Sequence, residues 1–411
     1  MARILLSAYA CEPGRGSEPG VGWSWATELA RQGHTVTVLT RSANRQTIER
    51  DAGTLPTQLR FLYYDLPAWA QSVRRLAGGK PAYYVLWQWF AARMIRRRFP
   101  RSAFDFVQHV TYVSARYPSF MGSLGIPFYF GPVSGGEVVP PRLRAGFSLA
   151  ERCRERLRDL SNWLVPIDPL MRHTFAQAER ILLTRDTISL LPRSQRHKAS
   201  PTLAIGSPPA ASFTPARRTP NYPELHLLYV GRLLHWKAVD VALHAMAEAR
   251  RRYPGMKFAI LGEGPARPRL EALTRALQLQ DAVHWEGWVS QAKLAGHYRA
   301  ADVLLFPSLR DSGGMVVLEA LAQGLPVVCT DLGGPGLIVD QSCGRVIATR
   351  HRNSLQLAHA FSEALREIAG NPLLLESLSR GATRRASAFA FEDLVQSVYP
   401  RCTQDLEVQL A

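Results

Sequence analysis

The chain has 411 residues, 46% of them hydrophobic and 20% charged, a globular composition too long for one hydrophobic core, so two domains are expected. A formal net charge of +17 calls for an anionic partner, whether phosphate, nucleic acid or a lipid surface. The five cysteines, Cys11, Cys153, Cys329, Cys343 and Cys402, are scattered and never spaced Cys-x-x-Cys, which excludes a disulfide framework or a cysteine zinc site and fits a reducing cytoplasm.

In chain order, "MARILLSAYA" reads as a buried strand over residues 3–8 and not as a signal peptide. Residues 9–20 read as a glycine-rich loop, 21–32 as a helix, and "GHTVTVLT" as a turn into a second strand, the opening of a doubly wound α/β domain. In "GRGSEPGVGW", Gly20 and Gly22 allow a backbone to approach a phosphate or sugar closely, and Glu18 can orient a hydroxyl, although such loops are often plain turns. The spacing is not Gly-x-Gly-x-x-Gly, and no acid closes the second strand.

From Pro67 to Phe104 there is no acidic residue, while Arg74, Arg75, Lys80, Arg93, Arg96, Arg97, Arg98 and Arg101 are basic. Tyr83, Trp87, Phe90 and Met94 fall on one helical face among them. Two readings compete: a helix lying on an anionic membrane through residues 74–101, or core aromatics with a solvated rim of arginines. There is no helix-turn-helix, RNA-recognition or zinc-finger pattern, so nucleic acid is not an expected partner. No apolar stretch is long enough to span a bilayer.

Strands follow at "FDFVQHV", "IPFYFGPV" and "RILLT", and residues 196–224, rich in Pro, Ser and Ala, form a connector. A second α/β series runs through "LHLLYVGRL", "KFAILGEGP", "AVHWEGWV", "ADVLLFPS", "PVVCTDLGG" and "CGRVI", then a helical tail. The expected domains are residues 1–200, residues 201–385, and a helix over 386–411 that packs back on the first domain.

The chemistry concentrates at strand ends of the second series. "ADVLLFPS" leads through "LRDSGG" to a helix from Met315 to Gln323. Gly313 and Gly314 open a helix N-terminus suited to an anion, Asp311 stands at its mouth, and Glu319 can accept the two hydroxyls of a ribose. In "GRLLHWKAVD", Arg232 and Lys237 lie five apart after a strand and can converge on a diphosphate. Taken singly, each of these is more often a solvated surface group.

Together, "GRLLHWKAVD", "ILGEGP", "VHWEGWV" and "FPSLRDSGGMVVLEALAQGLPVVCTDLGG" resemble the donor half of the retaining GT-B glycosyltransferases of family 4. The resemblance implies a GT-B fold, two Rossmann-like doubly wound domains facing across a cleft, residues 1–200 for an acceptor and 201–385 for a nucleotide-sugar donor. It implies a UDP- or GDP-linked sugar donor, with Arg232 and Lys237 on the diphosphate and Glu319 on the ribose. It also places Asp311 at the transferred sugar, the backbone of Gly313, Gly314, Met315 and Val316 on sugar and phosphate, and Gly287 and Trp288 beside the base. Two departures stand out. Asp311 replaces the family's usual glutamate, and Gly131 and Pro132 occupy a position where relatives often carry histidine, leaving His109 as the nearest candidate for a catalytic role.

No Asp-x-Asp pair is present, so a metal-independent reaction without cofactor is expected, with front-face transfer retaining configuration. The expected function is transfer of a sugar to a saccharide or lipid-linked saccharide in assembly of a surface polysaccharide or glycoconjugate. The expected location is the cytoplasm or the inner face of the membrane. The rival expectations are a GT-B phosphorylase or sugar-nucleotide epimerase, and a non-catalytic membrane-surface protein on the same scaffold.

Overall fold

A computed structural model describes residues 1–50, 55–73, 79–207 and 224–399. The chain forms two compact units. One holds Met1–Gly136, Leu160–Ile205 and the chain from Glu392; the other holds Glu137–Asp159 and Gly206–Phe391. Arg74, Arg75, Cys402, most of the connector and the last residues of the tail lie outside the described residues.

The first unit is built on seven strands, β1 (Arg3–Ser7), β2 (Thr35–Thr40), β3 (Leu59–Tyr63), β4 (Phe106–His109), β5 (Phe128–Val133), β6 (Arg180–Leu183) and β7 (Ala199–Pro201). Every pairing is parallel and the order is β3-β2-β1-β4-β5-β6-β7. Parallel strands covered on both faces need continuous apolar runs, which is why "ILL" in β1 and β6 is wholly buried. Its helices are α1 (Ser17–Arg31), α2 (Arg45–Arg50), α3 (Ala68–Val73) and α4 (Gly79–Arg98), with α5 (Leu149–Leu164) entering from the second unit and α6 (Pro169–Gln177) following.

Three local features differ from the sequence reading. Strand β3, "LRFLY", carries an exposed arginine that hides its apolar pattern, and β7 is a three-residue edge strand inside the expected connector. Helix α1 begins at Ser17, so Gly20 and Gly22 are helical and not loop residues. A Cβ on Gly20 would stand 2.1 Å from the Arg15 carbonyl, and one on Gly22 would stand 2.2 Å from that of Ala10, so both glycines serve the packing of α1 on its own loop.

The aromatic face of α4 belongs to the core. Tyr83, Tyr84 and Trp87 are buried, Phe90 and Met94 pack against the same cluster, and the Trp87 indole donates to the Tyr64 carbonyl at 2.9 Å. Lys80, Arg93 and Arg96 to Arg98 are left exposed around it. A face used up in this way has no apolar surface to offer a bilayer, which favours the core-and-rim reading of this segment. Among the described residues no helix is long and apolar enough to cross a membrane.

The second unit repeats the scheme with six parallel strands, β8 (His226–Val230), β9 (Lys257–Leu261), β10 (Val283–Gly287), β11 (Val303–Phe306), β12 (Val327–Thr330) and β13 (Gly344–Ile347), ordered β10-β9-β8-β11-β12-β13. Its helices are α7 (Val239–Arg250), α8 (Arg267–Ala276), α9 (Gln291–Ala300), α10 (Met315–Ala322), α11 (Gly333–Ile338), α12 (Ser354–Ala369) and α13 (Pro372–Ser387). The strand order reverses between β8 and β11, and the carboxyl ends of strands at such a reversal are where doubly wound folds hold their ligands.

The last described helix, α14 (Phe391–Val398), lies against the first unit's sheet. Gln32 donates to the Glu392 carbonyl at 3.0 Å, the Arg180 guanidinium bonds the Val398 carbonyl, and Tyr399 stacks on Phe106 and Tyr129.

Trp87→Ala empties a fully buried indole site and is expected to cost about 3–5 kcal/mol. The check is a lowered urea midpoint at neutral pH in a detergent-free and lipid-free buffer, whereas a membrane-facing tryptophan would leave that midpoint unmoved.

Candidate functional site

The site is assembled at the carboxyl ends of β8 and β11. After β8 the chain runs through Gly231 and Arg232 into a single turn, His235–Lys237, and then α7. Leu309 on the next loop donates its amide to the Trp236 carbonyl at 2.8 Å, which fixes the loop after β11 against the loop after β8. The Lys237 ammonium then reaches Asp311, Nζ to Oδ2 at 2.6 Å, with Lys237 5.2 Å from the centre of the Phe306 ring. The two side chains are only 15% and 20% exposed, so the pair is screened little by solvent.

The second oxygen of Asp311 turns back on its own loop. Oδ1 accepts from the amides of Gly313 at 3.2 Å and Gly314 at 2.8 Å, closing the turn that starts α10. Burial pushes the Asp311 carboxyl up, but the Lys237 charge, its hydrogen bond and these two amides outweigh that effect and hold it below the ordinary carboxylate value. Beneath the turn, the Gly334 amide donates to the Asp311 carbonyl at 2.8 Å. Gly333, at φ +59°, makes this approach possible, because a Cβ there would lie 2.0 Å from that carbonyl oxygen.

Glu319 stands on α10. Its Oε1 accepts from Gln291 Nε2 at 2.8 Å and its Oε2 from the Tyr298 hydroxyl at 2.8 Å, both from α9. Burial raises the Glu319 carboxyl above its ordinary value against the pull of these donors. Each carboxylate oxygen offers two acceptor positions, so one on each oxygen remains for ligand hydroxyls. Gly287 ends β10 at φ +69°, and Trp288 beyond it is 76% exposed. Arg232 is exposed in the β8 loop, where its carbonyl accepts from the Tyr229 hydroxyl at 3.1 Å.

Of the residues singled out in the sequence, Asp311, Gly313, Gly314 and Lys237 are thus in direct contact. Met315, Val316 and Glu319 ride on the helix that this contact orients. In the first unit Glu18 accepts from the Tyr112 amide at 2.6 Å and holds that residue at a positive φ of 57°. Burial raises the Glu18 carboxyl, opposed by this amide.

His109 is a different case. Its ring is fully buried between Tyr84 and Phe130, and Nε2 lies 2.9 Å from the Tyr84 hydroxyl, 3.1 Å from Gln88 and 3.2 Å from the Thr111 carbonyl. Burial drops its pKa to about 3, against a hydrogen bond to Thr111 that raises it. A neutral, enclosed imidazole ties α4 to β4, and the geometry presents it to no ligand.

Sequence patterns missed a buried support. Glu155 of α5 is bonded on one oxygen by His235 Nε2 at 3.0 Å and on the other by Arg310 Nη1 at 2.8 Å, with Arg310 stacked 4.1 Å over Trp236. Burial pushes Glu155 up, while His235 and Arg310 outweigh it and hold the carboxyl below its ordinary value. One carboxylate therefore clamps both loops that carry Lys237 and Asp311. The only hint in the sequence is Glu151, one turn earlier, whose carboxylate lies 3.6 Å from His235 Nδ1.

Residues 215–383 match the family described as glycosyl transferases group 1. Curated relatives include D-inositol 3-phosphate glycosyltransferases of Kineococcus radiotolerans, 35% identical over 44% of this chain and 45% of that protein, and of Streptomyces bingchenggensis, 28% identical over 57% and 50%. The chain spans about half the length of these relatives.

Among solved structures, sucrose-phosphate synthase from Thermosynechococcus elongatus superposes with a TM-score of 0.61 at 17% identity, covering 100% of this chain and 99% of that one. WaaG, a glycosyltransferase involved in lipopolysaccharide biosynthesis, gives 0.61 at 20% identity over 98% and 100%, and HepE of Anabaena in complex with UDP gives 0.61 at 14% over 98% and 100%. The chain therefore has the GT-B fold, with two Rossmann-like halves.

Gly333→Ala forces a left-handed backbone and a clash under Asp311, and is expected to cost about 1–3 kcal/mol in urea unfolding. Asp311 stabilises the fold fully above the ordinary carboxylate range, and that contribution disappears as pH falls through its lowered folded value. Urea titrations of wild type and Asp311→Asn should accordingly differ by a constant amount above about pH 5, and the difference should begin to shrink only below about pH 4 and vanish once the pH is under the lowered folded value.

Proposed function

We propose that the protein is a glycosyltransferase that moves a sugar from a UDP- or GDP-linked donor to a saccharide or lipid-linked saccharide, retaining configuration, in assembly of a surface polysaccharide or glycoconjugate. The observation that carries this reading is the Lys237–Asp311 pair at the reversal of strand order, aligned with the first turn of α10 and with Glu319 on the same helix.

In the proposed complex Lys237 spends one of its three N–H donors on Asp311 and keeps two for the diphosphate. Arg232, exposed five residues earlier, adds a planar cationic fork. As the anomeric bond breaks, charge grows on the leaving diphosphate, and cations already in place stabilise it without reorganising. A metal-independent route follows from these two cations. The amides of Gly313 and Gly314 are occupied by Asp311, so the first-turn amides of Met315 and Val316 are the ones left to face the phosphate. Glu319 takes the ribose hydroxyls on its two remaining acceptor positions, beside a base near Gly287 and Trp288.

Asp311, ionised by Lys237, accepts a hydroxyl of the transferred sugar. The departing phosphate takes the acceptor's proton on the face it leaves, which retains configuration and requires no buried histidine. Glu18, in the first turn of α1 and bonded to the Tyr112 amide, is assigned to the acceptor. The reading is supported by relatives named as D-inositol 3-phosphate glycosyltransferases and by the fold shared with HepE solved with UDP. Free thiols at Cys11, Cys329 and Cys343 support a reducing cytoplasm.

A thermal shift with UDP and GDP tests the site. At a hundredfold excess over Kd the matching nucleotide stabilises the protein by about 2.7 kcal/mol, and Lys237→Ala abolishes the shift. Glu319→Ala weakens the ribonucleotide at least about tenfold yet leaves a 2′,3′-dideoxy analogue unaffected, since a carboxylate–hydroxyl pair is worth about 1.5–3 kcal/mol. Equal losses for both nucleotides would remove Glu319 from the ribose.

A further inference from the structure

We propose that the outward face of α5, continued through the turn into α6, seats this protein on an anionic lipid bilayer. Helix α5 is amphipathic in the inverted sense. Its buried residues are polar: Glu155, 2% exposed, is held by His235 and Arg310, and Asn162, 4% exposed, accepts from the Arg116 guanidinium. Its apolar residues face solvent. Leu157, Leu160, Trp163 and Leu164 are 41% to 70% exposed and, at 100° per residue, fall within about a third of the helix circumference, opposite Glu155 and Asn162. Ile167 and Leu170 extend the exposed surface past the end of the helix.

Soluble surfaces carry single apolar residues, but a contiguous row of six around a tryptophan marks an interaction face. The charge around it selects the occupant. Arg154, Arg156 and Arg172 are exposed beside the row. The acids of the same segment are engaged elsewhere: Glu151 by the Ser148 amide, Glu155 by His235 and Arg310, Asp159 by Arg144, and Asp168 by the first amides of α6. What the segment shows outward is therefore apolar and cationic, within a chain of net charge +17. Leucines and a tryptophan in the acyl boundary, with arginines at headgroup level, are the arrangement of a helix lying in a bilayer interface. This is a different surface from the stripe of α4, whose Tyr83, Tyr84 and Trp87 are inside.

The inference does not rest on the transferase reading, and its test needs no sugar donor. The full chain is floated with phosphatidylcholine vesicles containing or lacking phosphatidylglycerol. Wild type should rise with the anionic vesicles, and the triple variant Leu160→Gln, Trp163→Gln, Ile167→Gln should bind at least about tenfold less. An Arg96→Gln, Arg97→Gln, Arg98→Gln variant on α4 should float like wild type. The altered side chains point outward, so the first triple variant keeps its melting temperature and its loss of binding is not a loss of fold. Three results would overturn the proposal: wild type remaining at the bottom, the α5 variant floating unchanged, or gel filtration showing a wild-type dimer that the α5 variant dissolves without any flotation, which would give this face to a second copy of the chain.

Discussion

The second unit's site depends on one ion pair, Lys237 with Asp311, little exposed to solvent and shared between the loops that leave two neighbouring strands. Charges in such a place keep their mutual attraction because water screens them weakly, and each would be costly to leave alone. Asp311 meets this demand with both oxygens, one on the ammonium and one on the two amides that begin α10. The shortness of aspartate suits that double duty. Its carboxylate can return to amides two and three residues ahead, the usual reach of an aspartate turn, and an added methylene would carry it past them. Aspartate at this position thus has a local structural use.

The pair would not hold its position without support from below and behind. Gly333 and Gly334 bring a third loop directly under Asp311, and Glu155 anchors His235 and Arg310 from α5. Each of these contacts removes freedom from a loop before any ligand arrives, so less ordering is left to be done on binding. The same demand explains the polar buried face of α5. A helix that must supply a carboxylate and an amide inward has only its outer face left for leucines and a tryptophan, and that face is exposed.

Much of the architecture was legible in the sequence, because parallel strands buried on both faces leave apolar runs that are visible without coordinates. Eleven of the thirteen strands were read this way, although β10 (VHWEG) and β13 (GRVI) are only partly buried; β3, with Arg60 in its middle, and the short edge strand β7 were missed. The residues of the ion pair, the glycines before α10 and Glu319 were also legible, since close backbone approach and anion contact restrict the residue types at fixed spacing. His109 and the α4 aromatics were legible as a histidine and as a stripe, but not as buried, because a helical stripe looks the same whether it faces a core or a membrane.

The sequence alone determined the doubly wound class and singled out Lys237, Asp311 and Glu319, because both are written in local periodicity and short spacing. Only the tertiary structure decided which polar groups are already taken, that Glu155 serves the second unit from 80 residues before His235, and that α5 turns its apolar face outward. Burial and long-range pairing are properties of the packed chain, and residues far apart in sequence carry no local mark of the partner they will meet.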